Sequence, residues 1–261
     1  MPATHGLAHS EYDGSVAGSR VANAVDPISH TQSPIVTGTS VVGLVYKDGV
    51  MLATDTLASY GSLARFRDQK RLFEAGTHTV VGGSGDISDL QHIEHIIEKL
   101  RIAETIRDDG HALETPHIYQ YLSKVMYGRR SKNNPLWNSL VVAGVHDDDG
   151  NLDGKSKPFL GYVDLKGTTY QSTMISTGFG SYLAVPILRK RVEGREQEID
   201  EEEAVEIINE CMRVLFYRDA RSLNKIQRAK ITAQGTEITE PYELATNWSI
   251  AEYVVGYGGR R

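Results

Sequence analysis

Apolar positions along the chain recur with two different periods, and the switches between them sketch the fold. An apolar run opens at Val41 and continues to Tyr46, and Asp48-Gly49 separates it from Val50-Met51-Leu52-Ala53-Thr54. Asp-Gly between apolar runs is a strong hairpin signal, because the pair tolerates the positive φ values of a type I′ turn. The first two strands are therefore expected as an antiparallel hairpin ending at Asp55. Ser59 to Arg67 reads as a polar connection containing Gly61, and it leads into Lys70-Arg71-Leu72-Phe73-Glu74. The next apolar run, Thr79 to Gly82, is expected to break at Gly83-Ser84-Gly85-Asp86. Beyond it Ile87, Leu90, Ile93, Ile97 and Leu100 recur every three or four residues and lay one apolar stripe along a helix.

Thr115-Pro116 reads as the next helix start, with threonine as N-cap and proline at the first helical position. Ile118, Leu122 and Met126 form its stripe. Strands resume at Ser139 to Val145, Phe159 to Asp164 and Thr168 to Ser172. Gly178-Phe179-Gly180-Ser181 then leads into a helix with Leu183, Pro186 and Leu188. Asp200-Glu201-Glu202-Glu203 is a capping-box variant opening a helix with Ile207, Ile208, Cys211 and Leu215. Two late strands follow, near Ile226 to Thr232 and Thr236 to Thr239. Strands, two helices, strands, two helices, strands, with short links between strands, predict an α+β protein: a four-layer αββα sandwich of two antiparallel sheets with helices outside.

Composition narrows the function. The 261 residues suit one large domain. Residues 1 to about 36 lack either period and read as a disordered leader, which composition leaves open as a propeptide or a permanent tail. Glu11 and Asp13 replace the apolar core a signal peptide needs. A formal charge of -6 with interspersed signs offers no basic stripe for nucleic acid. No apolar run reaches the roughly 18 residues of a membrane span. The sole cysteine, Cys211, cannot form an internal disulfide, which fits the reducing cytoplasm and nucleus.

Several local patterns carry no chemistry. His146-Asp147-Asp148-Asp149-Gly150-Asn151-Leu152-Asp153 has contiguous acids and Pro158 where a calcium loop needs glutamate. His92 and His95 lack the spacing of a zinc protease, and neither glycine-rich stretch completes a phosphate-binding pattern. More informative is the order of Thr39, Asp55, Arg71, Gly83-Ser84-Gly85-Asp86 and Arg218-Asp219-Ala220-Arg221-Ser222. Asp55 follows Thr39 by 16 residues and Arg71 follows Asp55 by 16. Over residues 38 to 240 this constellation resembles the proteasome β subunits, N-terminal-nucleophile (Ntn) hydrolases of αββα fold. In catalytic members of that family the threonine after glycine is the nucleophile, and a lysine stands where this chain has Arg71.

The departures from that pattern matter chemically. An N-terminal threonine uses its own amine as base, with the lysine tuning its surroundings. Arginine stays protonated and cannot share a proton with the nucleophile. Lys70 adjoins it, but alternation along a strand points the two side chains to opposite faces. Phe179 stands where catalytic relatives have serine, while Asp219 and Ser222 match their supporting residues. Ser59 to Phe66, Tyr127 to Lys132, Asn134 to Asn138 and Tyr217 to Ser222 look more narrowly like the non-catalytic β7-position (β type-4) subunits. That resemblance implies trimming to Thr31, which leaves Thr39 internal, a buried strand residue in a retired site. It implies no cofactor and no metal, and as partners the other β subunits of the ring, the α ring and β subunits of the opposite ring. Trp248, Tyr253, Val254, Val255 and Tyr257 would reach that opposite ring on a C-terminal arm, residues 247–261, although such a segment can also pack on its own domain. An active threonine endopeptidase cut between Gly38 and Thr39, and a free-standing amidase of the same fold, are the competing readings.

Overall fold

The computed structural model describes residues 30–110, 112–146 and 156–249. The expected leader up to residue 29, the acidic loop from Asp147 to Asp153, and Tyr253, Val254, Val255 and Tyr257 lie outside them. In chain order the elements are β1 (Val36–Gly38), β2 (Val41–Tyr46), β3 (Gly49–Asp55), β4 (Ala58–Tyr60), β5 (Leu63–Phe66), β6 (Leu72–Gly76), β7 (Thr79–Asp86), α1 (Ile87–Arg107), α2 (Thr115–Ser131), β8 (Asn138–His146), β9 (Lys157–Val163), β10 (Thr169–Gln171), β11 (Met174–Ser176), α3 (Gly180–Val192), α4 (Glu201–Arg218), β12 (Ile226–Thr232) and β13 (Gly235–Ile238).

The strands form two sheets. One runs β10-β9-β8-β7-β1-β4-β5, with β6 also paired to β7, and the other runs β11-β2-β3-β12-β13. All named pairs are antiparallel. Three apolar layers hold the four structural layers together. Ile93, Ile97, Leu122 and Met126 pack helices α1 and α2 on the larger sheet. Val41, Leu52, Val141 and Leu160 fill the space between sheets. Ala184, Leu188, Ile208 and Cys211 pack α3 and α4 on the smaller one. The expected αββα sandwich is the observed architecture, because strands with one apolar face toward each neighbour bury both faces only in this arrangement.

Local readings needed four corrections. The β2–β3 turn consists of Lys47-Asp48, with Tyr46 opposite Gly49 and positive φ at neither turn residue. Gly49 is needed for packing instead, since a Cβ there would lie 2.0 Å from the Ile231 carbonyl oxygen. Strand β7 does not break at its glycines but runs through Asp86, and a Cβ on Gly83 would meet Leu90 Cδ1 at 2.1 Å. The stretch from Ser59 to Arg67 is largely a hairpin, β4–β5, whose outer strand is exposed throughout and so lacks the alternation that marks a half-buried strand. Thr115 is not the N-cap of α2. Glu114 is, in a capping box with His117, while Thr115 Oγ1 turns inward to Thr79 Oγ1 at 2.7 Å. Asp86 and Asp200 cap α1 and α4, accepting from the N–H groups of Ser88 and Asp89 and of Glu203.

Candidate active-site cleft

Thr39 and Ser40 form the two-residue link by which the chain leaves β1 in one sheet and enters β2 in the other. Thr39 is half-buried and outside both strands, which corrects the expectation of a buried strand residue. Its Oγ1 donates to Asp219 Oδ2 at 2.5 Å. Ser40 is buried, and its Oγ accepts from Gly180 N at 2.9 Å, capping α3 from 140 residues away because Phe179 at the N-cap has no polar side chain. Sequence reading missed Ser40, since the signal lies in a tertiary bond rather than in a local capping pattern.

Arg71 fills the space beneath this link. It is 1% exposed, and its guanidinium pairs with Asp55 Oδ1. It also donates to the carbonyl oxygens of Asp55 (3.2 Å), Thr39 (2.9 Å), Gly83 (2.9 Å) and Ser40 (3.2 Å). These acceptors belong to β3, to the β1–β2 link and to β7, so one side chain ties the two sheets together where the chain crosses between them. Gly38 makes room for it, as a Cβ there would sit 2.4 Å from Arg71 Cδ. Asp55 Oδ2 accepts from Leu223 N at 3.0 Å, anchoring the loop after α4. Burial raises the Asp55 pKa, against the lowering effect of the Arg71 charge and the Leu223 N–H.

Asp219 follows the last turn of α4, and its Oδ1 accepts from Arg221 N at 2.9 Å, leaving Oδ2 aimed at Thr39. Ser222 bonds within its own helix end. Its hydroxyl donates to the Asp219 carbonyl at 2.7 Å, with the Leu215 carbonyl at 3.3 Å, closing the helix end. Lys70 does not substitute for the missing lysine, because its ammonium is exposed and lies 3.8 Å from Glu240. Phe179 is 58% exposed at the mouth of a cleft of about 320 Å³ lined also by Thr39, Ser84, Asn138, Asp219 and Arg221. Asn138, another residue the sequence did not flag, donates to the carbonyls of Ser84 (3.0 Å) and Asp86 (2.8 Å) and so fixes the β7–β8 wall.

The comparisons with known proteins bear on the whole of this arrangement. The family model described as "Proteasome subunit" matches residues 35–231. The chain belongs to the proteasome subunit family. It is 50% identical to the probable proteasome subunit beta type-7 of Schizosaccharomyces pombe over 245 residues, covering 93% of this chain and 91% of that one. It is 43% identical to proteasome subunit beta type-4 of Xenopus laevis over 231 residues, or 88% and 92% of the two chains. To proteasome subunit beta type-7 of Saccharomyces cerevisiae it is 44% identical over 254 residues, or 93% and 92%. Both sheets and all four helices of this proteasome β subunit have residues inside the matched range.

Two expected features of the proteasome subunit lie near its ends. Thr31 is exposed, and its carbonyl accepts from Trp137 Nε1 at 3.2 Å. Trp248 packs edge-on against Tyr217 and Phe216 of its own α4, with centroids 4.9 and 5.9 Å apart. Asn247 N donates to Tyr217 OH at 2.8 Å, so the chain is held to its own domain up to this point.

Proposed function

We propose that this β subunit of the proteasome core is non-catalytic and serves assembly, half-particle dimerisation and support of neighbouring active sites in ubiquitin-dependent protein degradation. The observation that carries the reading is Arg71. Its N–H groups are spent on one carboxylate and four carbonyls, and it has no lone pair with which to accept the Thr39 proton. Thr39 acquires an amine base only if the Gly38–Thr39 bond is cut, and Phe179 supplies no hydroxyl beside it.

In this reading residues 1–30 are a propeptide trimmed to Thr31, residues 31–246 are the folded domain, and residues 247–261 are an arm. The arm meets β subunits of the opposite ring through Tyr253, Val254, Val255 and Tyr257, while the domain contacts its ring neighbours and the α ring in the cytoplasm and nucleus. Intact-mass analysis of the subunit from assembled particles is expected to give a chain beginning upstream of Thr39 that does not react with a threonine-directed covalent inhibitor. A chain beginning at Thr39 and carrying the inhibitor would establish the alternative, an active threonine endopeptidase. For the arm, deletion of Tyr253 to Arg261 is expected to shift particles toward half-particles on native gels. Unchanged dimerisation would remove that role.

A further inference from the structure

The five residues ahead of β1, Thr31 to Ile35, are all exposed. Exposure alone would leave the peptide bonds among them open to a peptidase, yet the backbone is held at two points. The Thr31 carbonyl accepts from Trp137 Nε1 at 3.2 Å, and Ile35 N donates to Asp86 Oδ2 at 2.8 Å. Trp137 stands in the link between α2 and β8, and its own backbone is fixed on the start of α1. Its N–H goes to Asp89 Oδ2 at 2.9 Å, and its carbonyl accepts from Asp86 N at 2.9 Å. The indole therefore reaches Thr31 from a fixed base. The compact unit that contains both sheets begins at this same residue, Thr31.

We propose that Trp137 sets the inward limit of N-terminal trimming by guarding the Thr31–Gln32 bond. Hydrolysis by a peptidase adds water across that bond, giving a Thr31 carboxylate and a Gln32 amine. To reach the transition state the Thr31 carbonyl oxygen must turn into the peptidase's own stabilising N–H groups. Here it is held against the indole, so the bond is open to attack only while the Trp137 contact is broken. Pro34 is a second barrier, because the Ser33–Pro34 bond carries no N–H and the pyrrolidine ring crowds the residue before it. Beyond it Ile35 is tied to Asp86, and β1 is paired on both sides. The inference rests on the non-catalytic reading, in which trimming ends at Thr31, and names the side chain that ends it. Trp137 is a positioning residue, acting on the backbone to be cut and not on the peptidase.

Trp137→Phe keeps an aromatic ring and both backbone bonds but has no side-chain N–H to donate. The full chain is digested with proteinase K, and the new N-termini are labelled and identified by mass spectrometry over time. Ends at Gln32 and Ser33 are expected to accumulate about fivefold faster in W137F than in wild type, the ratio for one lost hydrogen bond, while cleavage within Ser59 to Arg67 keeps its rate. Adding Pro34→Ala to W137F is expected to carry the ends inward to position 34 and to stop at Ile35. In assembled particles the N-terminus of the W137F subunit is expected to move from Thr31 to Gln32 or Ser33. Equal rates of cleavage at Thr31–Gln32 in the two chains, or a rise of the same size within Ser59 to Arg67, would overturn the guard. The two readings fail separately. A wild-type subunit that begins at Thr39 in particles would sink the non-catalytic reading, whereas wild-type and W137F subunits that both begin at Thr31 would leave that reading standing and remove Trp137 as the guard.

Discussion

Arg71→Met is expected to cost about 3–5 kcal/mol of folding stability, the range for breaking a buried ion pair by removing one partner. Methionine keeps much of the aliphatic stem, so the loss falls on polar partners rather than on packing. Asp55 would keep the Leu223 N–H but lose its counter-charge at 1% exposure, and the carbonyls of Thr39, Ser40, Asp55 and Gly83 would each lose an N–H donor. Arg71→Lys keeps the charge but has three N–H groups to divide among five acceptor atoms, and a loss of about 1–3 kcal/mol is expected. Urea denaturation of the purified chain measures both. Asp55→Asn combined with Arg71→Met completes a double-mutant cycle, and a coupling near zero would show that the pair is not the clasp described here. On the proposed reading, in which the Gly38–Thr39 bond stays uncut, a threonine-directed inhibitor is expected to react with neither single variant.

The layers were legible in the sequence because they follow from the apolar pattern: the stripe from Ile87 to Ile97 buries one face of a helix, and the unbroken run from Val41 to Tyr46 buries both faces of a strand. The Thr39–Asp55–Arg71 spacing was legible through resemblance to a family and not through period, since Thr39 and Arg71 both lie outside the strands. What escaped reading lacks a period. Strand β1 has three residues and gains its identity from partners at Ser59, Tyr60, Gly85 and Asp86. The glycines of β7 looked like a stop because Gly is rare in strands, whereas Leu90 and Trp137 press against the backbone there. The pairing of Thr39 with Asp219 spans 180 residues, and the capping of α3 by Ser40 spans 140. The positions of Asp219 and Ser222 were found by resemblance, but their different roles became visible only from their bonds.

Gly85→Ala is expected to be the most damaging of the glycine substitutions near the cleft, with a loss of about 3 kcal/mol or more from two separate causes. Gly85 has φ +92°, a conformation that costs a side chain about 1–2 kcal/mol by itself. Its missing Cβ would also stand 2.1 Å from the Trp137 carbonyl oxygen and 3.1 Å from Asn138 Cα. Both atoms are backbone, and the same carbonyl accepts the Asp86 N–H at 2.9 Å, so relief requires the β7–β8 ladder to open at its Gly85–Asn138 end. Because Gly38 pairs with Gly85, β1 would shift as well. Gly61 separates the two causes: its φ is +59° and its Cβ would meet no atom within 4 Å. Gly61→Ala should therefore show the conformational cost alone, about 1 kcal/mol. Gly83→Ala should fall between them, since the Leu90 side chain it meets at 2.1 Å can move while a carbonyl cannot. Denaturation midpoints for the three variants in that order would place the strain in the backbone contact at Trp137, and equal losses for Gly85→Ala and Gly61→Ala would remove the contact as a cause.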